Sequence, residues 1–304
     1  RQMLRRDRRS TVPNGHRFMP RDIPDEVEVT VVKNRPLPVL PDPERAVREA
    51  IAHPIASQPL SKKVHRGQKA AVIVTDITRK LPEELILPVL LEELQAGGVE
   101  PGDITIVVAT GTHRPNTRDE LAGKFGASMV DRMCFVNHNA WDEKGLTRLG
   151  TTKSGIPVVV NREVASADVR ISTGVIETHL CAGYSGGVKS IAVGVAGAET
   201  IAATHNYDMM KQTSLGMTDN NPFRDFLTEA AAAVGLDFIV NCVQTGEKAL
   251  VKVVAGDPVL AFQEGVRTAR ALYEVEIDAP GEIVVAGVIA VCWRIAGRGG
   301  PTRY

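Results

Sequence analysis

The chain has 304 residues, which is enough for one large domain or two ordinary ones. Hydrophobic residues make up 43% of it and aromatic residues only 4%, a balance typical of a globular protein with an aliphatic core. Its 36 Lys and Arg match its 36 Asp and Glu, and zero net charge argues against a general nucleic-acid binder.

The first 22 residues, RQMLRRDRRSTVPNGHRFMPRD, are rich in arginine and lack apolar periodicity, so we expect a disordered tail over residues 1–22. The alternating stretch VEVTVV at 28–33 predicts a first strand. A proline-punctuated linker follows at 36–55 and runs into a helix.

The apolar run KAAVIVTD at 69–76 predicts a buried parallel strand. A helix is expected next, over 81–98, with Pro82 at its first position, acidic residues at its positive end and a Gly-Gly stop. Pro88 predicts a kink in this helix. A second strand is expected at 103–110, and TRDELAGKFGASMVDR at 117–132 predicts a single helix.

The same alternation continues to the end of the predicted domain. Short strands are expected at CFVNH and PVVVN, and longer ones at ADVRISTGVI and DFIVNCV. Helices are expected at 223–235 and 257–275. This order predicts an α/β fold with a mostly parallel sheet and helices on both faces, which is Rossmann-like.

Polar clusters follow three of the predicted strands: TDITRK, GTHRPN and ETHLCAGYSGGVKS. Ligands of such sheets bind at the carboxyl ends of the strands, so we expect one site to draw on all three clusters.

Two of these clusters hold groups suited to acid-base chemistry. Arg79 could clamp a carboxylate and Asp76 could orient it, although a surface ion pair explains both equally well. His113 and His179 could each be a general base, and each alone is more often an ordinary loop histidine. Two opposed bases would suit a racemase or an epimerase, which must remove hydrogen from either face of a carbon.

The stretch AGYSGGVKS at 182–190 resembles a P-loop, but that motif requires glycine where Val188 stands. Lys189 could bind phosphate, form a Schiff base or anchor a group covalently, or be a solvated loop lysine. His205 could ligate a metal or simply end a helix. A nucleophilic pair of Cys181 and His179 is disfavoured, because adjacency in sequence is not the geometry of such a pair.

The motifs TDITRKLP, GTHRPNT, IETHLCAGYSGGVKSIAVGVAGAETI and ATHN, in this order, resemble the nickel-pincer lactate racemase family of 2-hydroxyacid racemases and epimerases. The resemblance covers roughly residues 25 to 287 and implies a catalytic N-terminal domain over 23–278. It implies a nickel-pyridinium pincer mononucleotide covalently attached to Lys189, with His205 as a nickel ligand. The positions that it assigns to cofactor binding are Thr112, Gly183, Ser185, Gly186 and Gly187.

The resemblance also implies roles for the other candidate residues. His113 and His179 would be the catalytic histidines, and Arg79 with Asp76 would bind the substrate, a small 2-hydroxy acid. One histidine would take the hydroxyl proton while the α-hydrogen leaves as hydride to the cofactor. The 2-keto acid would then receive hydride on its other face. Enzymes of cofactor maturation are the implied protein partners.

The end of the chain departs from the family pattern. A second α/β domain is implied from GEIVVAG at 281–287, but the chain then reads VIAVCWRIAGRGGPTRY at 288–304, so we expect only a truncated stub of that domain over 279–304. Two other functions therefore remain open, a phosphate- or nucleotide-binding module and an inactive remnant of the enzyme. The sequence does not indicate the substrate or the oligomeric state.

The four cysteines, Cys134, Cys181, Cys242 and Cys292, are far apart and form no CxxC pair. This spacing supports neither a zinc knuckle nor a disulfide framework, so a reducing cytoplasm is the expected location. No run of 18 or more apolar residues occurs, and neither a membrane nor a nucleic acid is expected as a partner.

Overall fold

The structure is a computed structural model that describes residues 32–277 and the backbone of two strands, Arg9–Asn14 and Arg17–Asp22. One unit consists of Arg1–Lys33 and Val275–Tyr304, and a second, compact unit is Asn34–Glu274. Most of the strand predicted at 28–33 and the stub predicted at 279–304 lie outside the described residues.

The described residues form ten α-helices and twelve β-strands. The helices are α1 Pro43–Ala52, α2 Leu60–Lys63, α3 Glu83–Ala96, α4 Arg118–Phe125, α5 Ala127–Arg132, α6 Arg162–Ser166, α7 Ala198–Thr204, α8 Tyr207–Met210, α9 Pro222–Val234 and α10 Leu260–Tyr273. The strands are β1 Arg9–Asn14, β2 Arg17–Asp22, β3 Ala70–Thr75, β4 Ile104–Ala109, β5 Cys134–Asn137, β6 Leu146–Thr151, β7 Pro157–Asn161, β8 Val169–Val175, β9 Thr178–His179, β10 Gly183–Tyr184, β11 Phe238–Gln244 and β12 Leu250–Gly256.

Six strands form the central sheet of the compact unit, in the order β12-β11-β8-β3-β4-β5. All neighbouring pairs are parallel except β11 and β12, which are antiparallel. The mostly parallel sheet confirms the predicted fold class. The antiparallel strand β12 has no counterpart among the predicted elements.

Both faces of the sheet are covered, as its continuous apolar strands predict. Successive side chains of a strand point to opposite faces, and β3 shows this directly. Val72 and Val74 pack into the cluster formed with α1, α3, α4 and α5, whereas Ala71 and Ile73 pack into the cluster formed with β7, α6 and α9. Helix α10 covers β11 and β12 through a third cluster.

The sequence predictions are wrong in two places. Strands β1 and β2 pair antiparallel, with Asn14 opposite Arg17, in the segment expected to be a disordered tail. The helix expected over 117–132 is two helices, because Gly126 between them adopts φ 87°, a left-handed conformation that interrupts an α-helix.

The order of the strands determines where a site can form. From β3 the chain proceeds outward through β4 to β5, then returns to β8 on the other side of β3 and proceeds to β11. The connections therefore diverge between β3 and β8, and the crevice beyond the carboxyl ends of such strands is where open α/β sheets bind ligands. Among the described residues, no helix is long and apolar enough to cross a membrane.

Candidate functional site

The loop after β3 carries the first pair of candidate residues. The Asp76 carboxylate is only 3% exposed and accepts hydrogen bonds from the Thr78 amide and hydroxyl, at 3.2 and 2.6 Å. Arg79 is half-buried, and its Nη1 lies 3.6 Å from Oε1 of Glu177. The two side chains therefore have separate partners rather than forming the local ion pair that was the alternative interpretation.

His113, in the loop after β4, is oriented by Asp76. Its Nδ1 lies 2.7 Å from Oδ2 of Asp76, and a buried carboxylate acts as the acceptor of this bond. Nδ1 therefore carries the hydrogen, which makes Nε2 the basic nitrogen of the neutral ring. Burial raises the pKa of Asp76, but the hydrogen bonds from His113 and Thr78 outweigh it, and the net direction is down. The pair is arranged as a general base and its orienting carboxylate.

His179 lies after β8 and has the opposite tautomer. Its Nδ1 accepts hydrogen bonds from the backbone amides of Cys181 and Ala182, at 3.2 and 3.1 Å, so a neutral ring carries its hydrogen on Nε2. Burial, followed by repulsion from Lys189 and Arg79, lowers the pKa of His179 to about 2. This histidine is a neutral N–H donor at ordinary pH.

Cys181 is not activated by its neighbour. The contact with His179 uses the backbone amide of Cys181, and burial raises the pKa of its thiol. A nucleophilic cysteine needs a lowered pKa, so the geometry agrees with the expectation that disfavoured a Cys/His nucleophile.

The glycine-rich segment between β8 and Lys189 is held tightly against the core. Gly187 has φ 57°, and a Cβ there would lie 2.8 Å from the Phe262 ring. Its amide donates to Oδ1 of Asn241, a buried residue of β11, at 2.6 Å. Only glycine fits this conformation and this space, so the loop is fixed where it presents Lys189.

Lys189 is half-buried at the start of a five-residue π-helix, Ser190–Gly194. Single π-turns inside or beside helices occur frequently at functional sites. Burial, then repulsion from Arg79 and Arg224, lowers the pKa of Lys189 to about 8. A lysine with this pKa is partly neutral near pH 8 and can act as a nucleophile toward a cofactor.

His205 ends helix α7 with Nδ1 at 3.1 Å from the carbonyl oxygen of Ile201. A carbonyl only accepts, so Nδ1 donates and Nε2 keeps a lone pair, which is the usual arrangement of a metal-ligating histidine. The ring packs edge-on against Phe223, with 5.3 Å between centroids. Among the described residues, no group of three or more His, Cys, Asp or Glu could hold a metal, so His205 could supply only part of a ligand set.

The remaining predicted residues differ in their surroundings. Thr112 is exposed in the loop that carries His113. The Ser185 hydroxyl is occupied by the backbone, since it donates to the Val175 carbonyl at 2.8 Å and accepts from the Glu177 amide at 3.1 Å. Its hydrogen bonds stabilise the loop and leave little capacity for a ligand.

Sequence reasoning missed Arg224, a buried cation of α9. Its Nη2 donates to the carbonyls of Ala182 and Tyr184, and its guanidinium stacks on Phe262 at 4.5 Å. Nε and Nη1 have no hydrogen-bond partner among the described residues, and burial lowers the pKa of the group to about 10. An arginine on a helix that otherwise has an apolar face is the signal that could have indicated a buried cation.

The structure brings most of the predicted residues to one edge of the sheet. Asp76, Arg79 and His113 follow β3 and β4, and His179 and Lys189 follow β8, on both sides of the point where the connections diverge. His205 is close enough to lower the pKa of His179 by repulsion. The site combines an oriented base, a neutral N–H donor and several cations, and can therefore bind an anion and exchange protons with it.

Comparison with known proteins identifies relatives of this chain. Residues 14–218 match the family model of the lactate racemase N-terminal domain. The chain is 30% identical to the lactate racemase of Thermoanaerobacterium thermosaccharolyticum over 278 residues, which cover 90% of this chain and 65% of that protein. It is 33% identical to the lactate racemase of Lactiplantibacillus plantarum over 224 residues, which cover 73% of this chain and 53% of that protein.

Solved structures agree with these matches. The lactate racemase apoprotein of T. thermosaccharolyticum superposes with a TM-score of 0.77 at 31% identity, over 86% of this chain and 62% of that one. A Thermotoga maritima protein shares the fold, with a TM-score of 0.64 at 24% identity. The chain spans 53% and 65% of the length of the two named racemases. These matches show that the chain belongs to the lactate racemase family and contains its N-terminal domain.

Proposed function

We propose that this chain is the cofactor-holding part of a nickel-dependent 2-hydroxyacid racemase or epimerase. The observation that carries the proposal is the meeting of two histidines of opposite tautomer with a lysine of lowered pKa at one edge of the sheet. Family membership supports the reaction class, because both curated relatives carry the name lactate racemase.

The residues present fit an anionic, nickel-containing pincer nucleotide. Lys189 would hold it covalently, and Nε2 of His205 would ligate the nickel. A phosphate would also compensate the positive charge of Arg224, whose Nε and Nη1 have no hydrogen-bond partner among the described residues. When bound, this group supplies an acceptor for the α-hydrogen of the substrate as hydride.

The residues of the chain would handle the proton and the carboxylate. In one direction Nε2 of His113, whose Nδ1–H is held by Asp76, accepts the proton of the substrate hydroxyl. In the other half of the reaction Nε2–H of His179 would donate a hydrogen bond to the keto oxygen, and the proton held on Nε2 of His113 would return to that oxygen as the hydroxyl forms again. Arg79 would bind the substrate carboxylate, because its contact with Glu177 at 3.6 Å is too long to use its donors fully.

Intact mass and nickel content test the proposal in protein co-expressed with cofactor-synthesis enzymes. We expect a nickel-containing adduct in the parent and in Lys62→Ala, a control at an exposed lysine, and none in Lys189→Ala. His205→Ala should keep the organic adduct and lose most of the nickel. An adduct that persists in Lys189→Ala, or its absence from the parent when a full-length relative is loaded in parallel, would contradict the proposal.

A phosphate-binding module without chemistry is the second candidate, and Nε and Nη1 of Arg224, which have no hydrogen-bond partner among the described residues, favour it. This function predicts binding of inorganic phosphate by the chain that survives replacement of His113 and His179 together. It also predicts no covalent adduct on Lys189. Calorimetric titration of the parent and the double variant with phosphate separates the two candidates.

A further inference from the structure

A lysine outside the predicted site holds the backbone of the loop that carries Asp76 and Arg79. Lys124 lies on α4, and its side chain is 10% exposed. Its Nζ donates to the carbonyl oxygens of Asp76 and Arg79 at 2.9 and 2.7 Å, and to the Thr75 hydroxyl at 3.0 Å. One ammonium group thus joins the end of β3 to both ends of the loop that follows it.

The charge of this lysine is balanced by Glu83, in the first turn of α3. Oε2 of Glu83 lies 3.0 Å from Nζ, and the glutamate is fully buried. The carboxylate also accepts from the Thr75 amide and hydroxyl, at 2.8 and 3.0 Å, and from the Thr173 hydroxyl of β8 at 2.5 Å. A buried ion pair is tolerated only when its hydrogen-bonding groups are satisfied in this way.

The position of Lys124 in the chain gives the pair a consequence beyond stability. Helix α4 begins directly after the loop of His113, and its lysine reaches back to the loop of Asp76. The same side chain therefore connects the helix that follows one loop to the backbone of the neighbouring loop. Nδ1 of His113 and Oδ2 of Asp76, which lie on these two loops, are 2.7 Å apart.

We infer that Lys124 and Glu83 are positioning residues that maintain the hydrogen bond between Asp76 and His113 and fix the backbone from which Arg79 extends. The catalytic meaning of this pair rests on the proposed function, whereas the hydrogen bond itself does not. An experiment on the ligand-free chain can therefore test the inference independently of any racemase activity.

The test removes the pair without leaving a buried charge. Lys124→Met alone would strand the Glu83 carboxylate, so the main variant is the double substitution Glu83→Gln with Lys124→Met. Lys124→Arg is a second variant, which keeps the positive charge but loses the hydrogen bonds. A planar guanidinium cannot place donors on all three oxygens that Nζ reaches. Arg118→Met is the matched control, since Arg118 lies on the same helix and pairs with Asp131 at the surface.

The readout is the tautomer of each histidine, measured by ¹⁵N NMR of the ring nitrogens in mildly alkaline solution. In the parent and in Arg118→Met we expect His113 to be the Nδ1–H tautomer. Free imidazole side chains prefer Nε2–H, so in the double variant and in Lys124→Arg the Nε2–H tautomer of His113 should become populated. His138, whose Nε2–H donates to the Ala196 carbonyl at 2.9 Å, should keep its tautomer throughout and reports that the protein is folded.

The outcome that overturns the inference is equally direct. The inference is wrong if both the double variant and Lys124→Arg are folded and His113 keeps the parent tautomer and chemical shifts in each. The pair of Lys124 and Glu83 would then contribute to stability alone. A failure to load nickel would leave this result unchanged, because no cofactor is present in the measurement. The two proposals thus fail separately.

Discussion

At the scale of single residues, the histidines of this protein are distinguished by which ring nitrogen is hydrogen-bonded. His113 donates through Nδ1 to a carboxylate, whereas His179 accepts through Nδ1 from two amides. The first arrangement favours proton uptake at Nε2, and the second leaves Nε2 as a donor. Neighbouring atoms therefore assign different roles to residues that look alike in the sequence.

His138 gives a prediction for the pH dependence of stability. It is 1% exposed, and burial lowers its pKa to about 4 in the folded state. The unfolded chain binds a proton near pH 6.5 and the folded chain does not, so stability falls as the pH drops from about 6.5 to about 4, by roughly 1.4 kcal/mol for each pH unit. Urea unfolding of the parent at several pH values should show at least this slope, because His179 adds a contribution of the same sign.

Replacing that histidine should flatten the curve. In His138→Gln the slope over the same pH range should fall by up to the contribution of one proton, although His179 will still contribute. His65→Gln, at an exposed position, is the control and should retain the parent slope. Equal slopes for the parent and His138→Gln would show that the pKa of His138 is not lowered in the folded protein.

At the scale of elements, α4 begins where the loop of His113 ends. Thr117 forms a capping box with Glu120, in which the threonine hydroxyl accepts from the Glu120 amide at 3.2 Å and the glutamate accepts from the Thr117 amide at 2.8 Å. Glu120 also pairs with Arg114 of the loop. The start of the helix is thereby tied to the segment that carries the base.

Removing this cap should destabilise the protein measurably. Thr117→Ala deletes the hydroxyl that satisfies the Glu120 amide, and loss of such a cap costs about 1 kcal/mol. Ser128→Ala, at an exposed position in α5, should change the free energy of unfolding by less than about 0.5 kcal/mol. Urea denaturation of both variants decides, and equal effects would show that the capping box contributes nothing specific.

At the scale of the whole molecule, the six-stranded sheet of the compact unit separates the hydrophobic clusters that pack on its two faces. Ile86 of α3 packs on one face and Ile239 of β11 on the other, and both are fully buried. Ile86→Val and Ile239→Val should each lower the free energy of unfolding by about 0.5–1.5 kcal/mol. Because the sheet separates them, the double variant should equal the sum within about 0.5 kcal/mol in urea unfolding.

Non-additivity would be informative as well. A double variant that loses clearly less than the sum would mean that the two positions are energetically coupled through the sheet. It would contradict the expectation that the sheet keeps the two layers independent.

Most of the fold follows from the sequence, because the strands are continuous apolar runs and the helices carry clear start and stop signals. β3, β4, β8 and β11 lie where these runs predict, and α3, α9 and α10 follow the expected bounds closely. The exceptions are the seven-residue strand β12 and several short or unusual elements, such as β9, β10 and the π-helix after Lys189. Such segments are stabilised by tertiary contacts rather than by local periodicity.

The candidate site shows the same division. Motif order alone pointed to Asp76, Arg79, His113, His179, Lys189 and His205, since polar clusters after parallel strands share one edge of a sheet. The sequence by itself thus determined the family, the architecture and the edge at which a site forms. Only the tertiary structure decided the tautomers of the histidines, the lowered pKa of Lys189, and the contributions of Arg224, Lys124 and Glu83. The physical reason is that hydrogen bonding and burial depend on groups that are distant in the chain and adjacent only after folding.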